Sequence, residues 1–212
     1  MLLFSCILLP LLIAGFCFIT KEKKLIPVIG LGLLSAIFVA AFQAFFTFAH
    51  RIIPYDFVEN FLYLAFRQAF LPVIILYGLY LLISRDDTKL KITSFLPLEL
   101  SFYAIYLPYL TVTTSEGLYS AFALFFKPLL FAAMLLQLSI FINWIYISAK
   151  SKKFYFSVLF VILALAWLFL PAVFEAFFLL QLYPLLWIIG GVVYILLPVV
   201  LLVLKGLATV RS

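Results

Sequence analysis

The chain has 212 residues, of which 68% are hydrophobic and 10% charged, with a mean hydropathy of +1.33. Soluble domains are typically about 45–50% apolar and about 25% charged, so no soluble fold could hide this surface, and the solvent must be lipid. The net charge of +6 does not point to nucleic acid, because the basic residues lie in short loops with no basic domain; anionic lipid headgroups account for them.

Seven apolar runs reach the length of about 20 residues that a helical span needs. They are 2–20, 25–49, a third that begins between 57 and 61 and ends at 83, then 92–114, 128–149, 154–174 and 182–204. The first does not read as a secretory signal peptide, because positive charge follows its apolar stretch instead of preceding it. Its cysteines, Cys6 and Cys17, would lie about 16 Å apart at a rise of roughly 1.5 Å per residue. That is too far to pair or to share a metal, so they read as small apolar fillers. Span 2 places Ala36, Ala40 and Ala44 on one face, where small side chains allow close helix packing. Gly190 and Gly191 read the same way in span 7, or as a local hinge. The segments 51–60 and 115–127 are amphipathic and read as short helices or bends on the outer surface of the membrane, opposite the lysine clusters.

Eleven of the 14 Lys and Arg residues form four clusters: Lys21, Lys23 and Lys24; Arg85, Lys89 and Lys91; Lys150, Lys152 and Lys153; Lys205 and Arg211. They fall at every second gap between apolar runs, and Lys and Arg stay cytoplasmic. The expectation is an all-α integral membrane protein, a polytopic bundle of about seven transmembrane helices forming one domain over 1–212. Its N-terminus would be outside and its C-terminus inside, in a bacterial cytoplasmic (inner) membrane. Lys-Glu-Lys-Lys after span 1 and Lys-Ser-Lys-Lys after span 5 outline a faint 3+1+3 helix repeat, 1–83 and 128–204. Parallel repeats occur in small transporters, although lysine-rich hairpins produce the same pattern without one.

Charges inside the membrane carry the functional expectation, since each costs roughly 2.5–3.5 kcal/mol at a helix centre. Helical rise puts Arg67 about 10 Å below the outer end of span 3 and Glu99 about 12 Å above the inner end of span 4. An Arg67–Glu99 pair is therefore expected, with outward snorkelling of Arg67 as the alternative. Glu99, Tyr103 and Tyr106 share one face of span 4 between Pro97 and Pro108, a face unsuited to lipid. With Gln68 and Gln137 they form a candidate pocket: Arg67, Gln68, Glu99, Tyr103, Tyr106 and Gln137.

Catalysis finds little in the sequence. His50 is the only histidine and cannot supply a multi-histidine metal site, no Gly-rich nucleotide loop is present, and no cofactor or metal is implied. The leading expectation is a small membrane transport protein, or the membrane component of a transport assembly, acting on an unidentified small solute. A non-catalytic scaffold with a membrane subunit partner is the first alternative, and an intramembrane enzyme on a lipid-linked substrate the second.

Overall fold

A computed structural model describes residues 3–20, 25–46, 53, 55–83, 95–113 and 120–210. The clusters at 21–24 and 85–91, together with His50, Arg51, Glu116 and Arg211, lie outside the described residues. Among the described residues every element is helical: α1 (Leu3–Thr20), α2 (Leu25–Phe46), α3 (Phe57–Ala65), a π-turn (Phe66–Phe70), α4 (Leu71–Ile83) and α5 (Phe95–Thr113). A second π-turn (Phe122–Phe126), α6 (Lys127–Lys150), α7 (Phe154–Leu179) and α8 (Pro184–Val210) complete the described residues. Each π-turn continues directly into the helix after it. Six helical stretches, those beginning at Leu25, Phe57, Phe95, Phe122, Phe154 and Pro184, are long and apolar enough to cross a membrane. The apolar part of α1, Cys6–Phe18, is shorter.

The helices run up and down. Phe57 stacks on Phe177, and Phe4 lies against Phe125, at the end of the bundle where Asp56 caps α3. At the opposite end, that of Lys150, Trp144 meets Phe160 and Tyr80 meets Phe95 edge-on. The two centrally placed helices are α5 and α6. Their spanning windows are 67% and 61% buried, against 22% for α7 and 17% for α8. Apolar side chains facing lipid need no protein partner, and α7 and α8 accordingly expose Leu159, Ile162, Leu165, Ile189 and Val193.

Close approach depends on small residues. A Cβ added at Gly32 would fall 2.0 Å from Ser101 Oγ and 2.6 Å from the Leu98 carbonyl oxygen, so α2 rests on the backbone of α5 there. Ala36, one turn on, is fully buried and Ala40 is half-buried against the core, while Ala44 is exposed. The packing stripe of α2 thus runs Gly32–Ala36–Ala40, one turn earlier than the alanine spacing alone indicates. In α8, a Cβ at Gly191 would meet the Phe126 ring at 2.5 Å and one at Gly190 the Phe174 ring at 3.0 Å.

The surface segment before α3 is a bend. The Asn60 amide donates to the carbonyls of Ile53 and Asp56, at 2.9 and 2.6 Å, and folds the chain back over the first turn. The Asp56 side chain accepts from the Glu59 backbone N–H, as an N-cap does.

Candidate polar site at two proline-coupled pi-turns

The two π-turns share a local sequence. Phe66-Arg-Gln-Ala-Phe-Leu-Pro72 and Phe122-Ala-Leu-Phe-Phe-Lys-Pro128 both read Phe, three residues, Phe, one residue, Pro. Proline has no N–H, so it cannot donate to the carbonyl four residues earlier. The ladder slips by one residue ahead of each proline. The backbone N–H of Leu71 donates to Phe66 C=O and that of Lys127 to Phe122 C=O, five residues back in both cases. In both turns the two phenylalanine rings contact each other, with centroids 5.9 and 5.6 Å apart. π-turns of this kind occur frequently at functional sites.

Pro72 leaves Gln68 C=O without its usual donor, and side chains from α5 take over. The Tyr103 hydroxyl donates to Gln68 C=O at 2.7 Å, and the Tyr106 hydroxyl donates to Arg67 C=O at 2.8 Å. Gln43 of α2 also approaches Arg67 C=O through Nε2, at 3.5 Å. The two tyrosines expected to line a pocket therefore cap an opened helix ladder.

Arg67 itself is 5% exposed. Its Nε donates to Gln43 Oε1 at 3.2 Å, Nη1 to the Tyr63 hydroxyl at 3.2 Å, and Nη2 to Thr113 Oγ1. The rings of Tyr63 and Tyr109 lie 5.9 and 5.7 Å from the guanidinium carbon. Every one of these partners is neutral. They use three of the five N–H donors of a guanidinium, and no carboxylate among the described residues pairs with it.

The expected Arg67–Glu99 pair does not form. Thr113, which Arg67 touches, lies fourteen residues beyond Glu99, about 21 Å along α5. Arg67 turns instead toward the Asp56 end, the direction of Tyr63, and stays buried there. Glu99 is fully buried, and neither of its oxygens has a hydrogen-bond partner among the described residues. Gln137 is buried in α6, also with its Oε1 unpartnered. From the contact of Tyr103 with Phe131, helical rise puts Glu99 about 6 Å and Gln137 about 9 Å toward the Lys150 end. These two occupy a different level from Arg67 and Gln68. The six candidate residues thus divide between two levels, with Tyr103 and Tyr106 joining Arg67 and Gln68.

What the sequence reading missed is the ion pair. Lys127 Nζ lies 2.7 Å from Glu175 Oε1, with both side chains at most 5% exposed. The other oxygen of Glu175 accepts from Gln68 Nε2 at 2.8 Å. Glu175 on α7 therefore bridges the residues of the two π-turn segments. Beside it lies a space of about 10 Å³ lined by Thr111, Lys127 and Glu175, near the size of a single water. The span bounds concealed this pair: the fifth span was read as starting at Pro128, one residue after Lys127, and the sixth as ending at 174, one residue before Glu175. The helix runs through Pro171 to Leu179, and the fifth span begins at Phe122. Proline is tolerated inside membrane helices where neighbouring groups satisfy the freed carbonyls. The repeated Phe-x-x-x-Phe-x-Pro was the signal in the sequence that marked both segments.

Fold and site together define a multi-pass, all-helical integral membrane protein with a buried polar network joining α2, α3, α5, α6 and α7. Comparison with protein families, with curated proteins and with solved structures gives no match to this chain.

Proposed function

We propose that this chain is a small transport protein of a bacterial cytoplasmic membrane, or the membrane component of a transport assembly, and that its polar network recognises an anionic solute. On this reading α1 also spans, which brings the number of spans to seven, the Asp56 end faces outward, and the Lys150 end is cytoplasmic, where the positive-inside rule puts the basic hairpin. One observation carries the reading: among the described residues the network contains two buried cations, Arg67 and Lys127, but one carboxylate, Glu175. A guanidinium inside a membrane protein that is held by neutral oxygens alone is costly, and intramembrane ionisable groups mark solute pathways. Its two remaining N–H donors suit a carboxylate or a phosphate, which Arg binds through paired bonds.

The scaffold reading keeps one supporting observation. Glu175 has both oxygens bonded across three helices, and the adjoining space is only about 10 Å³. Thermal unfolding in detergent, against a panel of small carboxylates and phosphates, decides between them. Transport predicts that at least one anion raises Tm in the wild type and fails to do so in Arg67→Gln. If the whole panel leaves the wild type unchanged, the network serves helix packing and the scaffold reading stands.

A further inference from the structure

A groove of about 660 Å³ opens between α4, α6 and α7, remote from the Arg67 network. Its floor is Tyr80, Phe95, Leu138 and Leu168, all buried; its lips include Val161 and Leu165, both more than 40% exposed. The groove exists because α3 packs on α7 near the Asp56 end, whereas α4 packs on α2 and α5. Its volume lies within the range of small-ligand sites, roughly 300–1,000 Å³, and its lining is almost wholly apolar.

The groove has one charged end. Tyr146 and Ala149 of α6 line it, and Lys150 follows Tyr146 by four residues. Residues four apart share a helix face, so Lys150 stands one turn beyond Tyr146 on the side of the groove. Lys152 and Lys153 complete the exposed turn that joins α6 to α7, two of the groove's walls. An apolar slot that ends in three exposed lysines has the chemistry of one molecule: a hydrocarbon chain with an anionic head.

We propose that the groove holds an acyl chain of an anionic phospholipid whose phosphate contacts Lys150, with Lys152 and Lys153 adding to the attraction. The phosphate lies level with the α6–α7 turn and the chain runs past Tyr146 toward Leu168. Basic residues at a membrane surface attract anionic lipid; the apolar slot is what fixes one lipid in place.

The test is native mass spectrometry of the purified full chain, released from detergent, with phosphatidylglycerol or phosphatidylcholine of identical acyl chains. The expected result is one retained phosphatidylglycerol, saturating at about thirtyfold lower concentration than phosphatidylcholine, the scale of two basic residues near an anionic surface. Ala164→Trp fills the slot from α7 and is expected to abolish the retained lipid. Lys150→Gln, on the exposed turn, keeps the fold and is expected to reduce the preference for phosphatidylglycerol about fivefold. The proposal is overturned if the wild type retains both lipids equally, or if Lys150→Gln keeps the full preference. It is equally overturned if folded Ala164→Trp retains lipid like the wild type, or if a dimer without lipid shows a second copy to be the occupant.

Discussion

Replacing Glu175 by alanine removes two hydrogen bonds at once, the 2.7 Å bond from Lys127 and the 2.8 Å bond from Gln68. Breaking a buried ion pair by deleting one partner costs about 3–5 kcal/mol, because the remaining charge loses its counter-charge in a medium of low dielectric. Glu175→Ala is therefore expected to cost about 3 kcal/mol, and Lys127→Ala a similar amount. Once one member is gone, the second has less to lose, so the double variant falls short of the sum by about 2 kcal/mol. Glu175→Gln retains one carbonyl oxygen, which can serve Lys127 or Gln68 but not both, and is expected to cost about 1–2 kcal/mol. Unfolding by dodecyl sulfate in mixed micelles measures all four. Trp187 is a local reporter, packed edge-on against Phe122 of the second π-turn with centroids 5.5 Å apart. Additivity of the single variants to within about 0.5 kcal/mol would mean that the pair is not coupled, and the bridge between the π-turns would have to be given up.

Tyr103→Phe uncaps Gln68 C=O and is expected to cost about 1 kcal/mol; Tyr106→Phe is expected to cost less, because Gln43 also reaches Arg67 C=O. In a Pro72→Ala background, where the backbone regains its donor, the Tyr103→Phe penalty is expected to shrink, and an unchanged penalty in the same unfolding assay counts against proline as the cause of the slip. Gly32→Ala is expected to destabilise by about 2–3 kcal/mol, since its Cβ would strike backbone. Gly30→Ala, with nothing within 4 Å of its Cβ, is expected to be neutral or slightly stabilising; equal melting temperatures for the two would contradict the α2–α5 packing. For topology, a cysteine at Ser151 in a background lacking Cys6 and Cys17 is expected to resist an impermeant thiol reagent in intact cells, whereas one at Ser115 reacts. Labelling of Ser151 from outside reverses the orientation.

The helical membrane architecture was legible because lipid imposes it: backbone groups in hydrocarbon must bond internally, so apolar runs of span length mark helices. The face of α5 with Glu99, Tyr103 and Tyr106 was also legible as buried, since an acid and two phenols do not suit lipid, and all three are indeed fully buried. Partners were not legible. Helical rise gives a residue's depth only as well as the helix end is known, and a long side chain adds its own reach in either direction. Arg67 used that reach toward Tyr63 and Thr113, away from Glu99. The Lys127–Glu175 pair was hidden for a different reason: each member lies one residue outside the span bounds read from the sequence. A proline normally stops a helix in water, but in this bundle the chain slips by a residue ahead of Pro72 and Pro128 and continues. The side chains on both sides of each proline therefore enter the core.

The proposal that Arg67 receives an anionic solute is tested most directly by flux. Purified protein is reconstituted in liposomes, and uptake of each labelled carboxylate or phosphate that raises Tm is followed against unlabelled anion inside. Saturable uptake above protein-free vesicles, lost in Arg67→Gln while that variant stays folded, is the predicted result. Uptake by Arg67→Gln equal to the wild type, or wild-type vesicles no faster than empty ones for every anion, would contradict it.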